Sequence, residues 1–328
     1  MAEAVPDGPG PPAAVPHKPG PPAAVPHKPG PPAAAAATRL VERSAAAFVA
    51  ALGVDGESAD EGYFGPASVT WRIATDLSAP VAGLRALLIQ ALHPLAMAGV
   101  DRHSNWRQDP VGRLAATSAY LATVTFGDRA AADRAAGVVR RIHSYVVGTD
   151  TVTGQPYAAG DPALLLWVHA TFVDSGLVAA RMFGAQELGA AAADAYVREM
   201  RISASLLGVP LDMIPADAGA LDAYMAPVVP RLIATPAAVE STRYLLDPPG
   251  LDEDIAELWE EVREAVVATL PGWALDLYGI PASLAVTPER REEIRGTLGL
   301  FDAVFMGEPG VLEARQQIRL RMRKAAAA

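Results

Sequence analysis

From residue 38 onward the apolar positions recur at the three-to-four-residue spacing of helices, and strand-like alternation is rare. Gly and Pro punctuate the chain at long intervals, as in a succession of helices. Two helix starts stand out. Asp109-Pro110 and Asp161-Pro162 each place Asp at the N-cap and Pro at the first helical position. The first predicts a helix over 110–126, ending near Gly127. Asp128 caps a following helix that runs to Gly148, and Asp161 opens a long helix to Phe183. Further helices are expected at 38–53, 80–98, 186–206, 217–227, 236–246, 252–270, 287–305 and 310–324. The fold class expected is all-α, one multi-helix domain over 38–328.

Residues 1–37 break this pattern. The decapeptide Pro11-Pro12-Ala13-Ala14-Val15-Pro16-His17-Lys18-Pro19-Gly20 repeats unchanged at 21–30. Proline at this density blocks helices and sheet ladders, so a disordered Pro/Ala/His tail is expected. It lacks the basic start and unbroken apolar stretch of a secretory signal, which points to a cytoplasmic protein.

Two segments, 81–100 and 162–183, are apolar enough to raise the question of a membrane. Arg85 and His93 interrupt the first, and His169, Asp174 and Arg181 the second. A spanning helix needs about 20 apolar residues with few or no charges. Buried helices are therefore expected rather than a transmembrane segment, with peripheral membrane contact left open.

Composition narrows the chemistry. The chain has 328 residues, no Cys and a net charge of −10. Thiolate catalysis, zinc–thiolate and iron–sulfur sites are excluded. Lys occurs only at Lys18, Lys28 and Lys324, which removes Schiff-base and P-loop lysines from the folded part. The acidic surface argues against nucleic acid as a partner. No G-x-S-x-G, G-x-G-x-x-G, Walker or H-E-x-x-H motif is present.

Chemistry must then come from polar residues on apolar helices. His93, His103, His143 and His169 all fall in the most apolar half. Helical spacing sets His143 on one face with Val139, Val146 and Val147, and His169 on one with Leu165, Phe172 and Val173. An imidazole in an apolar slot between helices suits a haem iron. It suits equally a non-haem metal held by the His cluster, or a core in which each ring is simply hydrogen-bonded. Arg113 and Thr117, four apart, share a face with small apolar neighbours. Arg113 either pairs with Asp109 one turn earlier or meets an anion.

An ordered set of segments goes further: Gly62-Tyr63-Phe64-Gly65-Pro66-Ala67-Ser68, Trp71-Arg72, Leu92-His93-Pro94, Gly99-Val100 and His103-Ser104. Then come Asp109-Pro110-x-x-Arg113-x-x-x-Thr117, Thr125-Phe126-Gly127, Ile142-His143-x-x-Val146-x-Gly148, Tyr157-x-x-x-Asp161-Pro162 and Trp167-Val168-His169. Leu207-Gly208-Val209-Pro210 and Leu277-Tyr278-Gly279-Ile280-Pro281 close the series. Over about 40–320 this resembles the catalytic domain shared by the ER-bound oxygenase MpaB and the rubber oxygenase (latex-clearing protein).

The resemblance implies an all-α fold around one haem b and an O2-dependent oxidoreductase. His143 matches the iron ligand; Arg113 and Thr117 match pocket residues of an Arg-x-x-Lys-Thr element, and His169 would be a distal residue or second ligand. Two features depart from the family. Ala116 stands where the Lys would be, and 80–100 contains no acid to serve as the catalytic glutamate. A small apolar, isoprenoid-like substrate inside the cell is expected rather than extracellular rubber. A haem- or ligand-binding helical protein without turnover is the alternative.

Overall fold

The computed structural model describes residues 60–251, 253–281, 286–307 and 309–327. The tail at 1–37 and the helix expected at 38–53 lie outside the described residues. The capping signals translate directly into helix starts. Asp109 Oδ1 accepts from Gly112 N at 2.9 Å and opens α4 (Pro110–Phe126), which carries Arg113. Asp128 Oδ1 accepts from Ala131 N at 2.7 Å and opens α5 (Arg129–His143). Asp161 Oδ1 accepts from Ala163 N at 2.8 Å and opens α6 (Pro162–Phe183). Each carboxylate satisfies an N–H left free by the first turn and sits at the positive end of the helix dipole.

Before them come α1 (Val69–Ala74), α2 (Ala79–Ala91) and α3 (Pro94–His103). After them come α7 (Ala190–Leu206), α8 (Ala218–Met225), a 3-10 turn at Val229–Arg231, α9 (Pro236–Leu246), α10 (Glu253–Thr269), α11 (Gly272–Tyr278), α12 (Pro288–Gly307) and α13 (Pro309–Ala327). The domain is all-α, as expected. A two-stranded antiparallel hairpin, β1 (Val147–Thr149) and β2 (Pro156–Ala158), pairs Gly148 with Tyr157.

Three local readings change. The helix expected over 80–98 is two helices, bent by 101° at the break. Pro94 is the cause: it lacks an N–H for the ladder and pushes His93 into an extended conformation (ψ 111°). The helix expected to reach Gly148 stops at His143, so Val146 and Val147 belong to the turn and β1 and share no helical face with His143. The short α1 and α11 are additions, six and seven residues long, too brief for a periodicity argument.

Helix α6 is the axle of the fold. On one side Trp167, Ala179 and Phe183 join Leu88 and Ile89 of α2 and the Leu92 that follows it, Val262 and Val266 of α10, and Ile294 and Leu298 of α12. On the other, Ala170, Val173 and Leu177 join Val124 of α4, Ala132 of α5, and Tyr196 and Met200 of α7. A side chain of this size stabilises the fold by about 1.5–3 kcal/mol when buried. This explains why α6 is apolar on nearly all faces. It is long and apolar enough to cross a membrane, yet two-thirds of its most apolar stretch is buried in the protein. The charges that interrupted the two apolar segments answer each other. Arg85 Nη1 donates to Asp174 Oδ2 at 2.6 Å and to Ser175 Oγ at 2.8 Å, while its Nε donates to the Thr269 carbonyl.

Candidate functional site

The seam between α4 and α5 carries the unusual chemistry. The two helices run antiparallel and pack on each other, joined by the tight Gly127-Asp128 corner. On α4, Arg113 Nη1 donates to Thr117 Oγ1 at 2.5 Å, and the same hydroxyl donates to the Arg113 carbonyl at 3.0 Å. Thr117 is thus engaged as both donor and acceptor, and its work is to hold the guanidinium one turn forward along the helix. Asp109 spends an oxygen on the N-cap, and no carboxylate among the described residues pairs with Arg113. Burial lowers its pKa, although the residue keeps accessible surface. The guanidinium is exposed rather than sealed, so water can solvate it, and it presents a positive charge with no acid among the described residues beside it.

His143 closes α5 opposite Arg113. Burial first, and then the Arg113 charge, hold its pKa below the ordinary value, so the imidazole is neutral at physiological pH. Its neighbours Ile142 and Val147 expose 55% and 52% of their surface. His169 lies on α6, one residue after the exposed Val168; burial pushes its pKa down to about 4. No hydrogen bond among the described residues engages the ring of His143 or His169. Each is therefore neutral, half-buried and has free ring nitrogens, next to large apolar side chains that nothing covers.

No contact joins His143 to His169 among the described residues, and the other two imidazoles have neighbours of their own. His103 Nε2 lies 3.0 Å from the Tyr157 hydroxyl, which sits under Gly148 of the hairpin. His93 stacks obliquely on Trp167 with ring centroids 5.8 Å apart. Among the described residues no three His, Asp or Glu side chains converge as a metal cage. A haem iron asks the chain only for an axial imidazole, and a neutral imidazole with a free nitrogen fits that need. Unpaired Arg113 fits the carboxylate edge of such a group.

Sequence reading passed over Tyr120. It follows Thr117 by three residues, on the same stripe of α4 as Arg113. Its hydroxyl is sealed from water and has no hydrogen-bond partner among the described residues. Burial pushes its pKa up to about 12, against a small opposing effect of Arg140 on α5. The signal was available as the i, i+4, i+7 spacing of 113, 117 and 120, but a Tyr among apolar residues reads as core.

The family model for "ER-bound oxygenase mpaB/B'/Rubber oxygenase, catalytic domain" matches residues 71–303. That span contains α2 to α11 whole, with Arg113, Thr117, Tyr120, His143 and His169. No curated protein and no solved structure matches the chain. With well over half its length matched by that one model, the chain belongs to the mpaB/rubber oxygenase catalytic-domain family.

Proposed function

We propose that this protein is a cytoplasmic, haem b-dependent oxygenase acting with O2 on a small apolar, isoprenoid-like substrate. The observation that carries the reading is the facing pair Arg113 and His143: a neutral imidazole with free nitrogens and an unpaired cation across one helix seam. His143 would hold the iron. When bound, haem would supply the redox chemistry with O2, and the chain supplies ligation, burial and shape.

The residues have separate tasks in this reading. His143 stays unprotonated because burial and Arg113 both disfavour its cation, which keeps a lone pair available. Thr117 orients Arg113. Arg113 then binds a propionate or polarises an acceptor oxygen in the pocket. His169, neutral down to about pH 4, is a distal hydrogen-bonding group that carries no charge into an apolar space. Ile142, Val147 and Val168 offer the substrate an apolar wall. Ala116 puts a methyl group where a lysine would bring a second cation, leaving Arg113 as the positive charge of this face.

Oxygen uptake tests the reading. Protein reconstituted with haem should consume O2 when given an isoprenoid such as farnesene or farnesoic acid, with cleavage products in the extract. A red protein that takes up no oxygen with any isoprenoid would support a haem-binding role without turnover.

A further inference from the structure

The two most apolar segments of the chain place most of their side chains in the core. Large apolar residues gather at the surface elsewhere, on α5 and the strand that follows it. Val138, Ile142 and Tyr145 expose 56%, 55% and 74% of their surface, and Val147 beyond them is exposed as well. A contiguous group of this kind marks an interaction surface.

The placement is regular. Arg134, Val138, Arg141, Ile142 and Tyr145 follow the i, i+4, i+7, i+8, i+11 spacing of one helical stripe, and all five are exposed. Ala132 and Ala136 lie on the opposite face and are fully buried. The stripe continues past the last residue of α5. Tyr145 N donates to the Ile142 carbonyl at 3.0 Å and Val147 N to the Tyr145 carbonyl at 3.1 Å, so the backbone turns straight from the stripe into β1.

Charge completes the face. From Arg134 to Thr149 the chain has three arginines and no acid, in a protein of net charge −10. The acids that bracket the stretch are engaged. Asp133 accepts from the Tyr63 hydroxyl at 2.7 Å, and the buried Asp150 accepts from Val152 N and from the backbone and hydroxyl of Thr153. Arg102, at the end of α3, acts on Asp150 and adds a cation beside the hairpin.

We propose that this stripe is a docking face for the anionic surface of a lipid bilayer. Val138, Ile142, Tyr145 and Val147 enter the boundary between headgroups and acyl chains. Arg134 and Arg141 lie along it with their guanidinium groups toward lipid phosphates. A second copy of the chain is the poorer occupant: a two-fold contact sets the stripe against itself and brings arginine to arginine with no acid to pair. His143 follows Ile142 on the inward side of α5, so an apolar substrate leaving the bilayer here arrives at the α4–α5 seam. Docking itself depends on neither haem nor turnover.

The test is flotation of the purified full-length protein with two kinds of vesicle: phosphatidylcholine alone, and phosphatidylcholine mixed with phosphatidylglycerol. The protein should float with the mixed vesicles and not with the neutral ones, and added salt should release it. An arginine near an anionic surface is worth about fivefold in partition. Arg134→Gln/Arg141→Gln should therefore weaken binding roughly 25-fold. Val138→Ser/Tyr145→Ser should weaken it by about tenfold or more. Both double variants alter exposed side chains and should keep the wild-type Tm. Val138→Trp should show a blue shift of emission with mixed vesicles that the wild type lacks, which reports entry of the stripe itself rather than contact through Lys18 and Lys28.

No flotation with mixed vesicles overturns the proposal. Equal flotation of the wild type and both double variants also overturns it and puts the contact elsewhere on the chain. A dimer that Val138→Ser/Tyr145→Ser breaks, without vesicle binding, assigns the stripe to a second copy. Binding to polyglutamate but to neither vesicle assigns it to an acidic protein. Either result overturns the bilayer as its partner.

Discussion

Arg85 on α2 and Asp174 on α6 meet at 2.6 Å in the middle of the fold, with side-chain exposures of 4% and 20%. This ion pair fixes the two most apolar helices against each other. Ser175 Oγ and the Thr269 carbonyl take up further guanidinium protons, so little of the charge is left unsatisfied. α6 also carries His169, so the pair sets where that ring lies.

Breaking the pair on one side should be severe. Asp174→Asn or Arg85→Met leaves a buried charge without its counterpart, a cost of about 3–5 kcal/mol. The double variant Arg85→Met/Asp174→Leu should regain most of that loss. Urea midpoints of the four proteins measure it. A double-variant loss equal to the sum of the two single losses would show that the pair is not coupled.

The corner between α4 and α5 depends on Gly62. Its φ is +84°, and a Cβ there would lie 2.2 Å from the Gly127 carbonyl oxygen. Asp60 ties the same corner by accepting from Gly62 N and Arg129 N, both at 2.9 Å. Gly62→Ala should destabilise the protein by about 2–4 kcal/mol, because backbone on both sides must move. It should also loosen the seam, seen as faster amide exchange in α5. An unchanged Tm would contradict the close approach.

His169 predicts a pH dependence of stability. Its folded pKa is about 4 against 6.5 for the free side chain. The unfolded chain therefore binds the proton first as pH falls. Stability tied to the neutral ring is present above pH 6.5 and is lost between there and about pH 4. The full loss is on the order of 3 kcal/mol. His169→Leu should flatten the stability curve over that window. A curve as steep as that of the wild type would place the titration elsewhere.

The caps predict small effects. Asp161→Ala should cost about 1 kcal/mol and Asp161→Asn far less, since Asn keeps the acceptor for the Ala163 N–H. Equal losses would mean that the charge rather than the hydrogen bond matters.

Much of this architecture was legible in the residues. The Asp-Pro pairs fixed the starts of α4 and α6 because capping is local chemistry. The span Pro236–Leu246 for α9 was equally plain. The bend at His93-Pro94 was written in the sequence too, but an apolar run across a proline reads as one helix when its two halves both lie in the core. The hairpin after His143 escaped because two three-residue strands carry no periodicity. At the site, the spacing of Arg113 and Thr117 was visible, and the structure adds that Thr117 is spent on Arg113. The burial of the Tyr120 hydroxyl depends on α5 and α6 closing over α4, which no local pattern encodes.

The central claim is that His143 holds the haem iron. The most direct measurement is the visible spectrum of wild type, His143→Ala and His169→Ala after haem reconstitution and desalting. The account predicts an intense band near ~400–420 nm in wild type and His169→Ala, shifting on reduction, and its loss in His143→Ala. A colourless wild type, or a His143→Ala protein that keeps the band while His169→Ala loses it, would contradict the claim.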